Sequence, residues 1–159
     1  MSASNVLVAG IGNVFLGDDG FGVEVVRRMA GRALPARTED FGIRGFDLAC
    51  ALLEPLDLVI LVDAVRRGGA PGTLYLMEVD TLAGGPVDLQ GHSMDPAQVI
   101  RNARAMGKIE ARILLLGCEA ATFGDPDAGA IGLSAPVDGA VETAIEMIGQ
   151  VLAEREAHA

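Results

Sequence analysis

The stretch Leu56-Asp57-Leu58-Val59-Ile60-Leu61-Val62 constrains the fold more than any other part of the chain, because it is apolar on both faces apart from one acid. Such a strand must be covered on both sides, which is the situation of a strand inside a parallel sheet flanked by helices. It ends directly on Asp63. A second aliphatic run, Val6-Leu7-Val8-Ala9, passes into Gly10-Ile11-Gly12-Asn13 and reads as a buried strand entering a glycine loop. After that loop Val23, Val26, Met29, Ala30 and Ala33 recur at helical spacing, with Arg27, Arg28 and Arg32 towards the end where cations complement the helix dipole.

The remaining segments fit the same scheme. Pro35 to Asp40 reads as a less hydrophobic strand near an edge, and Phe46, Leu48, Ala49, Leu52 and Leu53 form a short helical stripe closed by Pro55. Thr73 to Val79 reads as a strand too close to the preceding one for an intervening helix, so the two are expected to pair as neighbours. Asp80 to Gln90 reads as a loop leading to His92, Pro96 to Met106 as a helix, and Arg112 to Gly117 as the last strand. A glycine-rich irregular passage follows from Cys118 to Leu133. Ser134 and Pro136 mark the start of a closing helix whose apolar face is Val137, Val141, Ile145, Ile148 and Leu152. Its polar end, residues 154–159, is expected to fray. Strands alternating with amphipathic helices and no linker predict one α/β domain over residues 1–159, a three-layer sandwich around a twisted, mainly parallel sheet.

Composition narrows the function. The 159 residues carry 12 Lys+Arg against 22 Asp+Glu, a formal net charge of −10, with no basic cluster. Nucleic acid, an anionic membrane surface and polyphosphate would be repelled, whereas cations are admissible. No apolar stretch reaches the length of a bilayer span and the N-terminus lacks a basic signal region, so a cytoplasmic protein is expected. Cys50 and Cys118 suit a reducing compartment and read as small buried hydrophobes.

The chemistry-bearing residues gather after strands. In Gly10 to Gly20 the third glycine of a dinucleotide fingerprint is replaced by Phe15, and Asp18 and Asp19 stand where a phosphate would need free N–H groups. Helix capping accounts for one of these acids, and a cation accounts better for two together at a strand's carboxyl end. Asp63 repeats the pattern. His158 lies in the tail, which leaves His92 as the imidazole for any chemistry. Two carboxylates and one imidazole leave coordination positions open, as a reactive or ligand-sharing metal needs, although ligand type alone does not choose the metal. A Cys118–His92 nucleophile pair stays open at this point.

Gly10-Ile11-Gly12-Asn13, Gly17-Asp18-Asp19-Gly20-Phe21-Gly22, Asp40 with Gly42, Leu61-Val62-Asp63-Ala64, Pro71-Gly72-Thr73, Gly91-His92-Ser93 and Gly132-Leu133-Ser134 together resemble the [NiFe]-hydrogenase maturation proteases, in order from about residue 6 to residue 152. The resemblance implies a five-stranded sheet with helices on both faces. It implies an endopeptidase that trims the C-terminal extension of the hydrogenase large-subunit precursor once nickel is inserted. The family's metal-binding acids align with Asp19 and Asp63 and its histidine with His92. Asp40 matches a further acid, but Asp40-Phe41-Gly42-Ile43-Arg44-Gly45 departs from the family's D-G-G-T-like segment, so Asp40 enters only as an auxiliary residue. Nickel, on this view, arrives with the substrate, and the isolated protein is expected to be metal-free or to hold a surrogate divalent cation weakly. The expected partner is the large-subunit precursor, met by a monomer. The competing expectations are a nickel-binding maturation chaperone without proteolysis and a nucleotide-binding regulator.

Overall fold

The computed structural model describes residues 5–80, 94–125 and 127–157. Within them a five-stranded sheet runs in the order β2-β1-β3-β5-β4. The strands are β1 (Val6–Ile11), β2 (Arg37–Gly42), β3 (Leu58–Val65), β4 (Leu74–Val79) and β5 (Arg112–Glu119). The first three and β5 are mutually parallel, and β4 runs antiparallel to β5. The helices are α1 (Phe21–Met29), α2 (Gly45–Leu52), α3 (Pro96–Met106), the single turn α4 (Ala135–Asp138) and α5 (Val141–Ala157).

The period of two along the central strands divides the core. Val6 and Val8 of β1 with Leu58, Ile60 and Val62 of β3 join one cluster, completed by α1 and α5. Leu7, Ala9 and Ile11 with Val59 and Leu61 face the other way, into a cluster with α2 and α3. Both faces of β1 and β3 are therefore dry, which is why those segments read as unbroken aliphatic runs. The three-layer α/β fold and its mainly parallel sheet stand as the sequence predicts.

Three details differ. β4 pairs with β5, not with β3, because β5 inserts between them. β5 is buried along most of its length and belongs inside the sheet, while β4, with Leu76 and Glu78 exposed, tolerates an edge. The connection from β3 to β4 consequently crosses the end of β5, fixed there by Gly72 N–H donating to the Glu119 carbonyl at 2.9 Å and Glu119 N–H donating to Thr73 at 2.8 Å. β5 accordingly runs on to Glu119, past the expected end at Gly117. The closing helix is broken at Gly139-Ala140, and its polar end stays helical to Ala157, with Arg155 paired to Asp57 at 2.8 Å.

Candidate functional site

The carboxyl ends of the parallel strands form one edge of the sheet, the edge at which α/β proteins bind ligands. Register brings β1 and its two neighbours level there: Gly10 pairs with Asp40 on one side and Val62 on the other. The first turn of α1 is pressed onto this edge. A Cβ on Gly22 would lie 2.0 Å from the Val62 carbonyl oxygen, and one on Gly12, at φ 135°, would lie 1.8 Å from the Asp19 carbonyl oxygen. Only glycine permits that approach. These glycines bring Asp19 close to the end of β3 instead of cradling a phosphate.

Asp18 and Asp19, adjacent in the chain, point to different tasks. Asp18 is fully buried and its carboxylate accepts from Ala121 N–H (2.8 Å), Thr122 N–H (3.1 Å), Ser134 N–H (2.7 Å) and Ser134 Oγ (2.8 Å). Burial alone would raise its pKa, but these donors together hold it below the usual carboxylate value. Asp18 is thus a clamp that ties the first loop to the passage after β5 and to the start of the closing helix. Asp19 is half-buried and accepts from Asn13 N–H at 2.9 Å, within the first loop.

Asp63 is 7% exposed and accepts from Ala64 N–H at 2.9 Å. Burial, then the charge of Asp19, and more weakly that of Asp95 push its carboxyl up to about 8, against the lowering effect of that N–H. Asp19 therefore puts a second negative charge near the buried Asp63, in a place where that charge is unwelcome and a cation is not. Asp40 lies on the edge strand β2 and is exposed, one strand away on the far side of β1. His92 lies outside the described residues, as do the rest of 81–93 and His158. Among the described residues no three His, Cys, Asp or Glu side chains converge closely enough to enclose a metal.

Two further acids escape the sequence reading. Asp95 caps α3, accepting from Ala97 N–H at 3.1 Å, and lines the same cleft as Asp63; the Asp95-Pro96 pair is the N-cap signal that could have found it. Glu119 is buried at the end of β5 and accepts from Arg67 N–H, Gly69 N–H and Tyr75 Oη at 2.9–3.1 Å, which anchors the β3–β4 connection. No local pattern announces it. The cysteines also separate: Cys118 is buried, its thiol pushed up to about 12 chiefly by burial, so it is no nucleophile at neutral pH, while Cys50 is exposed, contrary to expectation.

The segments around this edge expose several large apolar side chains. Phe15 (60% exposed), Ile43 and Ile131 stand out to solvent on the segments that follow β1, β2 and β5, and Phe46 does so in the first turn of α2. Comparison with known proteins decides the family, since a model of the hydrogenase maturation proteases matches residues 23–151. The chain belongs to the hydrogenase maturation protease family. Within the family it is 33% identical over 152 residues to a putative hydrogenase maturation protease of Methanocaldococcus jannaschii, covering 93% of this chain and 96% of that one. It is 42% identical over 119 residues to the hydrogenase expression/formation protein HupD of Rhodobacter capsulatus, covering 72% of this chain and 56% of that longer protein. The hydrogenase maturating endopeptidase HybD of Escherichia coli has the same fold, with a TM-score of 0.74 at 24% identity over 98% of this chain and 94% of that one. As a maturation protease the chain is a peptidase, and no helix among the described residues is long and apolar enough to cross a membrane.

Proposed function

We propose that this maturation protease removes the C-terminal extension of a nickel-loaded [NiFe]-hydrogenase large-subunit precursor, with Asp19, Asp63 and His92 completing the coordination of the precursor's own nickel and Asp40 in an auxiliary place. The observation that carries the reading is the carboxyl pair at the sheet edge. Asp63 is 7% exposed, with Asp19 acting on it and one N–H donor given to it among the described residues, an arrangement that costs stability unless a cation arrives. A protease that carried its own metal would gain nothing from leaving such a site to be completed by the substrate. One that reads whether its substrate is loaded would.

Chemically, the attacking water's oxygen bonds to the scissile carbonyl carbon, the carbon–nitrogen bond breaks, and the water's proton passes to the leaving amine. The carboxylates of this chain supply negative charge facing the substrate's metal, which is positioned to polarise the carbonyl or hold the water. The apolar rim of Phe15, Ile43, Phe46 and Ile131 suits contact with the body of a folded precursor. The test is mass spectrometry of a nickel-loaded precursor after incubation with the protein. Loss of the extension, abolished by His92→Ala and by Asp19→Asn, is expected. Full activity in both variants would remove the ligand set, and an intact extension with the native protein would leave a chaperone.

A further inference from the structure

Arg66 and Arg67 lie just beyond β3, three and four positions after Asp63, and both are exposed. Most arginines among the described residues stand in ion pairs with Asp or Glu. These two do not. The Arg66 guanidinium lies 4.2 Å from the Phe123 ring centroid and that of Arg67 lies 5.2 Å from the Tyr75 centroid, with Arg67 Nη1 donating to Met77 Sδ at 2.8 Å. Stacking on aromatic faces holds the cations in place without neutralising them. The backbone beneath is fixed by Glu119, whose carboxylate is spent on Arg67 N–H, Gly69 N–H and the Tyr75 hydroxyl.

Both arginines line a cleft of about 440 Å³ that also contains Asp63 and Asp95. Its apolar lining is Met77, Val79 and Leu115 with Pro96 and Ala97. The two acids lie near each other, since the charge of Asp95 reaches Asp63, whereas Arg67 sits against β4 through Met77. The cleft therefore has both signs of charge and an apolar floor. In a chain of net charge −10 this is where an acidic peptide segment meets attraction. The same cleft's acids repel it from the Asp63 end and so fix its direction.

We propose that this cleft takes the part of the precursor's extension next to the scissile bond, with an apolar side chain on the Met77–Val79–Leu115 floor and an Asp or Glu side chain held by Arg66 and Arg67. The assignment rests on the proteolytic reading above. Arg66 and Arg67 follow Asp63 by three and four residues, about 10–13 Å of extended chain at about 3.3 Å per residue, so on this proposal the acid they hold lies roughly two to four residues along the peptide from its Asp63 end. Arg66 and Arg67 are specificity determinants here, not catalytic residues.

The test uses three nickel-loaded precursors that differ at the second to fourth residues of the extension, occupied by Glu, Gln or Lys. The native protein should prefer the Glu precursor over the Lys precursor by about tenfold in kcat/KM, carried in KM and reduced by added salt. Arg66→Glu with Arg67→Glu should reverse the order. Equal rates on all three would overturn the cleft assignment while leaving proteolysis intact. If the native protein cuts none of them, the proteolytic reading fails, and binding of the free extension peptides decides the cleft. A Glu preference that the double variant reverses supports it; equal binding overturns it.

Discussion

Asp18 and Asp63 are both buried carboxylates at the carboxyl edge of one sheet, and they are held in opposite ways. Asp18 accepts from four donors across two distant segments and is held below the usual carboxylate pKa. Among the described residues Asp63 has Ala64 N–H as its donor; it faces the charge of Asp19 and is pushed up to about 8. Burial is common to both, so burial does not distinguish a structural acid from one kept ready for a ligand. The distinguishing quantity is how much of the carboxylate's hydrogen-bonding capacity the protein itself satisfies. Glu119, with three donor groups and a lowered pKa, falls on the side of Asp18.

The contrast breaks most visibly at Asp18. Asp18→Ala orphans the donors of Ala121, Thr122 and Ser134, and should cost about 3–5 kcal/mol in urea unfolding, while cleavage per folded molecule survives. Asp63→Asn should do the reverse. Cleavage of the nickel-loaded precursor should fall on the order of 100-fold or more, with no loss of fold. A raised carboxyl pKa means the native state holds a proton the unfolded chain has released, so that part of the native stability fades as pH climbs from 3.8 through about 8. The melting temperature of Asp63→Asn should therefore gain on the native protein between acidic pH and about pH 8.

Glu119→Gln comes next, at about 1–3 kcal/mol, since its donors keep a partner at one oxygen. Asp18 and Glu119, both lowered, add stability that is complete above their unfolded values of 3.8 and 4.5 and is lost as pH falls below them. Either amide variant should flatten the acid limb of a stability-against-pH curve. Asp40→Asn, on an exposed edge strand, should move stability by no more than about 0.5 kcal/mol and cleavage far less than Asp63→Asn does.

Much of the fold was legible because its signals are local. β1 and β3 are buried on both faces and read as aliphatic runs; α3 begins at Pro96 behind an acid and ends before Gly107. The placing of β4 was not legible, because short separation from β3 argues for pairing whereas the actual neighbour is chosen by which strand best bears an edge. The division of labour between Asp18 and Asp19 was hidden for a similar reason. Two adjacent acids look alike until Ser134, 116 positions away, supplies its hydroxyl and N–H to one of them. Glu119 closes a loop across 52 positions, which no window of sequence contains. The gathering of acids at one edge could be anticipated because each stands in or just after the carboxyl end of a strand.

Whether an underprovided acid serves the substrate's metal while a fully provided one serves the fold is decided by measuring both properties in the matched amide variants. Asp63→Asn and Asp18→Asn would each be compared with the native protein for urea stability and for cleavage of the nickel-loaded precursor per folded molecule. Asp63→Asn should keep its stability and lose cleavage, and Asp18→Asn should lose stability and keep cleavage. Normal cleavage by a folded Asp63→Asn variant would contradict that division of roles.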